Sequence, residues 1–363
     1  WAMILAYWSL IPLNATALAL ISRYLFPGIV QQGFLYEIAG WDVYAGEVIL
    51  ASAAIIIMAL INIRGIKQAA WMQTAIALTL VGCILIIIFL VFCKSDLSNL
   101  SPGFPDGRRW WKGVFSIVAM APWAFIGFDC IPQSAEEYNF SHKKSTFIMI
   151  SAILVAAILY IAVCAVTAVG VEPWQELLAG RNNWPTGYVV RNTLGLIGLI
   201  ILGTAMFCAV VSGMNAFYIS TSRLMYAMAK EGSLPKWFEQ LSPKYGTPKN
   251  AILFTMVMSL FAPWFGREIL IWIVDMTSVG AAIVFAYTTA SAAILAKKQG
   301  NIRNMVYGIV GCLFSLFFLS LLIIPGMPGY LTFQSRVVLF VWIAIGFAFY
   351  FIIRKSYIKG QTL

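Results

Sequence analysis

The chain has 363 residues, of which 61% are hydrophobic, 15% aromatic and only 10% charged. Soluble domains carry about 25% charged residues, so this composition excludes a soluble globular protein and describes a polytopic membrane protein embedded in a lipid bilayer. The formal charge of +10, which would suggest nucleic acid for a soluble chain, becomes a question of which side of the membrane holds the Lys and Arg, and no nucleic-acid partner is expected.

One crossing needs about 20 apolar residues. Runs of that kind fall near 2–26, 46–63, 69–93, 114–134, 146–170, 194–222, 250–265, 268–296, 304–325 and 333–353. The expected fold is an all-α membrane protein with about ten transmembrane helices in a single domain over 1–363. The runs at 46–63 and 250–265 are short, and Pro263 with Gly266 tightens the turn after the second.

In the first run, Tyr7, Ile11 and Asn14 lie along one helical face. Tyr7 has a hydroxyl to donate, and core packing is an equal reading for it. Further along, Arg108-Arg-Trp-Trp111 marks an interfacial anchor, with indoles at headgroup level and guanidiniums beside phosphates.

The run at 114–134 is the most informative. It reads Phe115-Ser-Ile-Val-Ala-Met-Ala-Pro-Trp-Ala-Phe-Ile-Gly-Phe-Asp-Cys-Ile-Pro132, a crossing broken by Pro122, Gly127 and Pro132 that carries the carboxyl group of Asp129. Lipid cannot solvate freed backbone groups or a buried carboxylate, so such a break persists only where it is buried in protein or lines a cavity. Carriers use such breaks to bind substrate. An unwound Phe125-Ile126-Gly127-Phe128 would expose carbonyls to a substrate ammonium, with Gly127 reaching backbone angles that other residues resist. The alternative is a Pro-kinked packing helix. Trp123 and Phe125 read equally as aromatic gates or as packing. Asp129 has three readings of equal weight: a proton-accepting or gating group, a counter-charge for a cationic substrate, and a structural hydrogen-bond acceptor.

In the run at 194–222, Gly213 and Phe217 share a face at a spacing of four, with Asn215 turned about 200° from Gly213 at 100° per residue, and Ser212 and Asn215 are candidate lining, coupling or packing residues. Asp275, in 268–296, repeats the intramembrane-carboxylate argument as a lining or gating residue.

Six separate Cys without CxxC spacing and the single His142 support neither a metal cluster nor a disulfide framework, and no cofactor is expected. A polytopic enzyme would need a base and nucleophile or a metal-binding carboxylate set. The chain shows no DxD, HxxE or GxSxG arrangement, so no catalytic residue is expected. A channel would want rings of carbonyls or charges from repeated subunits. Most of the 24 Lys and Arg fall on one side if the loops near 64–67, 138–145, 224–249 and 297–303 and the C-terminus are cytoplasmic. The chain opens on Trp1 inside an apolar run, so the true N-terminus is expected upstream.

Gly127-Phe-Asp-Cys-Ile-Pro-Gln-Ser-Ala-Glu-Glu137 and Ser220-Thr-Ser-Arg-Leu-Met-Tyr-Ala-Met-Ala-Lys-Glu-Gly-Ser-Leu-Pro235 resemble the sixth and eighth segments of the amino acid–polyamine–organocation (APC) permeases. Asn62-Ile-Arg-Gly-Ile-Lys67 resembles the end of that family's fourth segment, and Thr247-Pro-Lys-Asn-Ala251 the start of its ninth. The four landmarks, in family order, number the spans three to twelve. The resemblance implies an APC/LeuT-type inverted-repeat transporter fold, truncated at the N-terminus by two segments. Residues 1–93 would then be the remainder of the first repeat, 114–296 the second repeat and 304–353 two C-terminal helices.

It further implies a plasma-membrane secondary transporter for an amino acid or related organic amine, working by alternating access. The alternative is a polyamine or other organic-cation exchanger. Phe217 falls where the family places a pocket aromatic, and Glu136 or Glu137 pairing with Arg223 or Arg64 would latch an inner gate. Proton-driven relatives carry a Lys in the fifth segment. The run Gln73-Thr-Ala-Ile-Ala-Leu-Thr-Leu80 has none, and Thr79 lies near the place, so H+ and Na+ both stay open as coupling ion and the oligomeric state is undetermined.

Overall fold

The computed structural model describes residues 1–363 apart from Ala39, 66–68, 102, 105–108, 134–140, 171–173, 180–183 and 359–363, and gives the backbone alone of 69–72, 133, 142, 177–179 and 352–358. Helices α1 (Ala2–Trp8) and α2 (Leu10–Leu25) join at Ser9, whose angles stay helical, and form one first span. A hairpin follows, β1 (Phe34–Ile38) antiparallel to β2 (Trp41–Tyr44), with Ile38 opposite Trp41. Helix α3 (Ala45–Arg64) ends at Gly65 in the left-handed region, and α4 (Ala69–Phe92) succeeds it.

Next come α5 (Trp110–Ala124), α6 (Cys130–Gln133), α7 (His142–Val169), α8 (Trp174–Ala179) and α9 (Pro185–Lys230). The long α9 is two helices joined at Gly195, where φ is 66° and ψ −149°. The last four are α10 (Lys249–Ser259), α11 (Glu268–Lys298), α12 (Ile302–Ile323) and α13 (Phe333–Ile358).

Among the described residues, eight helical stretches are long and apolar enough to cross a membrane: 2–25, 45–64, 73–92, 143–169, 185–230, 268–298, 302–323 and 333–351. They coincide with eight of the ten expected runs. The other two runs fall on shorter pieces, α5 with α6 on either side of a break, and α10 with the 3-10 turn Ala262–Phe265. Proline accounts for both interruptions: it has no N–H to continue the ladder and its ring crowds the preceding turn. Pro122 precedes the first break and Pro263 lies in the second turn.

Small residues let the spans approach closely, since van der Waals packing, not hydrophobicity, drives association in lipid. Ile11, Ala15 and Ala19 of α2 pack with Ala51, Ile55 and Ala59 of α3, Val210 and Met214 of α9, and Ile252 of α10. A Cβ on Gly308 of α12 would lie 2.7 Å from the backbone nitrogen of Ala293 in α11, which fixes that crossing as a glycine contact. The first and last spans meet through three indoles. Trp342 of α13 stacks on Trp1 at 4.6 Å and on Trp8 at 4.9 Å.

The hairpin lies between the first two apolar runs. Arg23, at the end of α2, pairs with the buried Glu47 at the start of α3, donates to the Asp42 carbonyl at 2.8 Å and lies 4.4 Å above the Trp41 ring. Arg267 covers the same indole at 5.3 Å, and the Tyr36 hydroxyl donates to the Trp264 carbonyl at 2.6 Å. These contacts tie the loop between α2 and α3 to the turn before α11.

Candidate substrate site

The backbone leaves helical geometry over 125–129, between α5 and α6, as the Pro122, Gly127 and Pro132 pattern predicts. The Phe125 N–H still reaches Ala121 at 3.1 Å and that of Ile126 reaches Trp123 at 3.2 Å. Gly127 then sits at φ 125°, a region that a residue with a side chain rarely adopts. Past it, the Cys130 N–H donates to the Gly127 carbonyl at 3.1 Å and that of Ile131 to Phe128 at 3.4 Å. The Ala124 carbonyl accepts from the Tyr160 hydroxyl of α7 at 2.7 Å. No described N–H or O–H completes a hydrogen bond to the carbonyls of Phe125 and Ile126. Two acceptors without a donor among the described residues are costly in an apolar segment unless something else supplies one.

Tyr7 and Phe217 converge on this break. The Tyr7 hydroxyl donates to Asp129 Oδ2 at 2.8 Å, and the rings of Tyr7 and Phe217 are 6.1 Å apart. Phe217 also faces the glycine, since a Cβ on Gly127 would lie 3.8 Å from Phe217 Cζ. Asp129 Oδ1 accepts from the Gly127 N–H at 2.9 Å. Phe125 packs edge-on against Tyr160 at 5.6 Å, Phe128 lies 5.7 Å from Phe285, and Trp123 and Ile126 are half-buried beside them.

The other expected residues distribute differently. Ile11 is fully buried in the core that α2 shares with α3, α9 and α10. Asn14 donates to the Leu10 carbonyl at 2.7 Å and stands against Gly213 of α9. Asp275, on α11, faces the start of α13, where its Oδ2 accepts from Ser335 Oγ at 2.6 Å and from the Thr332 N–H at 3.4 Å. Thr79 is exposed on α4, its hydroxyl returned to the Ala75 carbonyl at 2.9 Å, and is not among the residues gathered at the break. Glu136 and Glu137 lie outside the described residues, so the expected latch to Arg223 or Arg64 does too.

Sequence reasoning missed a polar layer between α3, α4 and α9. Asn62 Nδ2 donates to Asn215 Oδ1 at 3.1 Å, Asn215 Nδ2 to Gln73 Oε1 at 3.5 Å, and Gln73 Nε2 to Ser212 Oγ. Carboxamides in three apolar spans were the available signal, because each must find partners away from water. Ser9 and Thr277, 2.5 Å apart, make a similar buried contact between the first span and α11.

The amino acid permease family matches residues 1–349 of the chain. The methylthioribose transporter of Bacillus subtilis (strain 168) is 29% identical, over 86% of this chain and 66% of its own length. The branched-chain amino acid permease BcaP of the same organism is 27% identical, over 85% and 64%. Its aspartate-proton symporter is 28% identical, over 86% and 61%. The chain thus spans just under two thirds, or less, of the length of these curated relatives.

Proposed function

The chain belongs to the amino acid permease family, an integral multi-pass membrane protein whose relatives are transporters and not enzymes, and we propose that it carries an amino acid or related organic amine across the plasma membrane by alternating access around the break at Phe125–Asp129. The observation that carries this reading is the pair of carbonyls at Phe125 and Ile126 that no donor reaches among the described residues. An ammonium is a compact set of three donors, and two free carbonyls offer it oxygen acceptors without a fixed charge that would hold it too tightly to release. Phe217 and Tyr7, on the facing helices, supply the surface against which a bound molecule is enclosed.

Residues 1–93 are read as the remainder of the first repeat, 114–296 as the second repeat and 304–353 as two C-terminal helices, with the loops near 64–67, 138–145, 224–249 and 297–303 and the C-terminus cytoplasmic. The relatives are named for a branched-chain amino acid, for aspartate and for methylthioribose, so likeness to them supports small-molecule transport without selecting a side chain.

The test is uptake and heteroexchange of a panel of labelled amino acids and amines by the full-length protein in proteoliposomes, with and without proton and sodium gradients. Saturable, competed uptake that a Gly127→Trp variant abolishes supports the site. Monodisperse protein that neither moves nor binds any member of the panel overturns it.

A further inference from the structure

The carbonyl site leaves the one carboxylate at the break without a task toward the substrate. Asp129 is 9% exposed, and both its oxygens already accept hydrogen bonds, from Tyr7 Oη at 2.8 Å and from the Gly127 N–H at 2.9 Å. The second bond closes a small ring over Gly127, the residue at φ 125°. The Gly127 amide donates to this carboxylate and to no backbone carbonyl among the described residues. The first bond reaches across 122 residues of sequence to the first span. One side chain therefore fixes the shape of the break and its position against α1.

A counter-charge for a substrate cation has a different geometry. It keeps a lone pair open toward the cavity; each Asp129 oxygen has one such pair beyond its present donor, but with the residue 9% exposed little of the carboxylate faces open space. The half-buried side chains at the break are Trp123, Phe125, Ile126 and Phe128, and Tyr7 and Phe217 oppose them. Among the described residues, the next titratable group in sequence is Cys130, half-buried at the start of α6. Among the described residues, a cationic or anionic side chain brought against these aromatic and aliphatic groups would lose its hydration without gaining a partner.

We propose that Asp129 is a positioning residue, held by Tyr7, that sets the Phe125 and Ile126 carbonyls, and that the carried molecule accordingly bears an uncharged, largely apolar side chain. The proposal rests on the break being the substrate site. It assigns Tyr7 a role that aromatic packing alone does not require.

The experiment uses the full-length protein in proteoliposomes. Uptake of labelled leucine is competed with unlabelled leucine, lysine, arginine, aspartate and putrescine, and is repeated with Asp129→Asn, Asp129→Leu and Tyr7→Phe protein shown to be monodisperse. Asparagine keeps an oxygen for the Gly127 amide and a polar partner for the Tyr7 hydroxyl. The expected result is competition by leucine alone, kcat/KM within about threefold of the parent for Asp129→Asn, and a loss of roughly tenfold or more, mostly in KM, for Asp129→Leu and Tyr7→Phe.

The proposal is overturned if the charged compounds compete, if Asp129→Asn falls as far as Asp129→Leu, or if Tyr7→Phe leaves KM unchanged. Failure of the underlying site reading has a separate signature. Gly127→Trp would then transport normally, whatever the Asp129 variants do.

Discussion

Gly213 of α9 stands where a side chain would press on Asn14 of α2: a Cβ there would lie 3.1 Å from Asn14 Oδ1 and 3.2 Å from Nδ2. Asn14 is held in place by its 2.7 Å bond to the Leu10 carbonyl. Gly213→Val is expected to destabilise the protein by about 1–3 kcal/mol through overpacking. In an Asn14→Ala background the same change should cost much less, and thermal unfolding of the four proteins of that cycle in detergent measures the coupling. Equal costs in both backgrounds would show that the contact does not limit the crossing.

The conformation of Gly127 gives a second expectation. Its φ of 125° strains any residue with a Cβ, yet the nearest side-chain atom, Phe217 Cζ, would be at an ordinary 3.8 Å. Gly127→Ala should therefore suffer backbone strain of about 1–3 kcal/mol and no clash. Shortening Phe217 to Leu would not rescue it. Recovery of uptake in the Gly127→Ala/Phe217→Leu protein would mean that crowding, not backbone angle, is the constraint.

The Asn62, Asn215, Gln73 and Ser212 layer joins three spans. A double-mutant cycle of Asn62→Ala and Asn215→Ala should give a coupling of about 0.6 kcal/mol and no more than about 2, the range of side-chain hydrogen bonds between membrane helices. Additive losses would indicate that the two carboxamides find other partners.

Arg23 and Glu47 are both largely withdrawn from solvent, with side chains 15% and 7% exposed. Removing Glu47 strands a cation beside the Trp41 ring and the Asp42 carbonyl, whereas Glu47→Gln keeps an oxygen for it. Glu47→Ala should therefore speed amide hydrogen exchange across 34–44 more than Glu47→Gln does. Added salt should change the parent little, since the pair is shielded from ions.

Asp275 accepts from Ser335 and from the Thr332 N–H, the groups that open α13. Asp275→Ala should loosen that helix start by about 0.5–2 kcal/mol, as loss of a cap does. If the residue also lines the path, KM for the carried substrate will change beyond what the stability loss explains. A KM equal to that of the parent would leave Asp275 a helix anchor only.

The spans were legible because a bilayer requires about 20 apolar residues per crossing, a demand met within one continuous segment. The break was legible for a related reason. Pro122, Gly127 and Pro132 act on their own backbone, so their effect follows from local geometry. Asp129 was marked by depth alone, with three roles in balance.

What tertiary structure decided is which distant atoms those local features face. Tyr7 meets Asp129 from 122 positions away, and Tyr160 caps the Ala124 carbonyl from another helix. Thr79 is exposed on α4, and which residues a helix turns toward its neighbours depends on those neighbours rather than on composition. The hairpin at 34–44 escaped for the same reason: its five-residue and four-residue strands carry little pattern of their own, and contacts with Arg23, Trp264 and Arg267 hold them. Apolar length and backbone breaks are properties of a segment, whereas hydrogen-bond partners and facing rings belong to pairs of segments and exist only once the helices have packed.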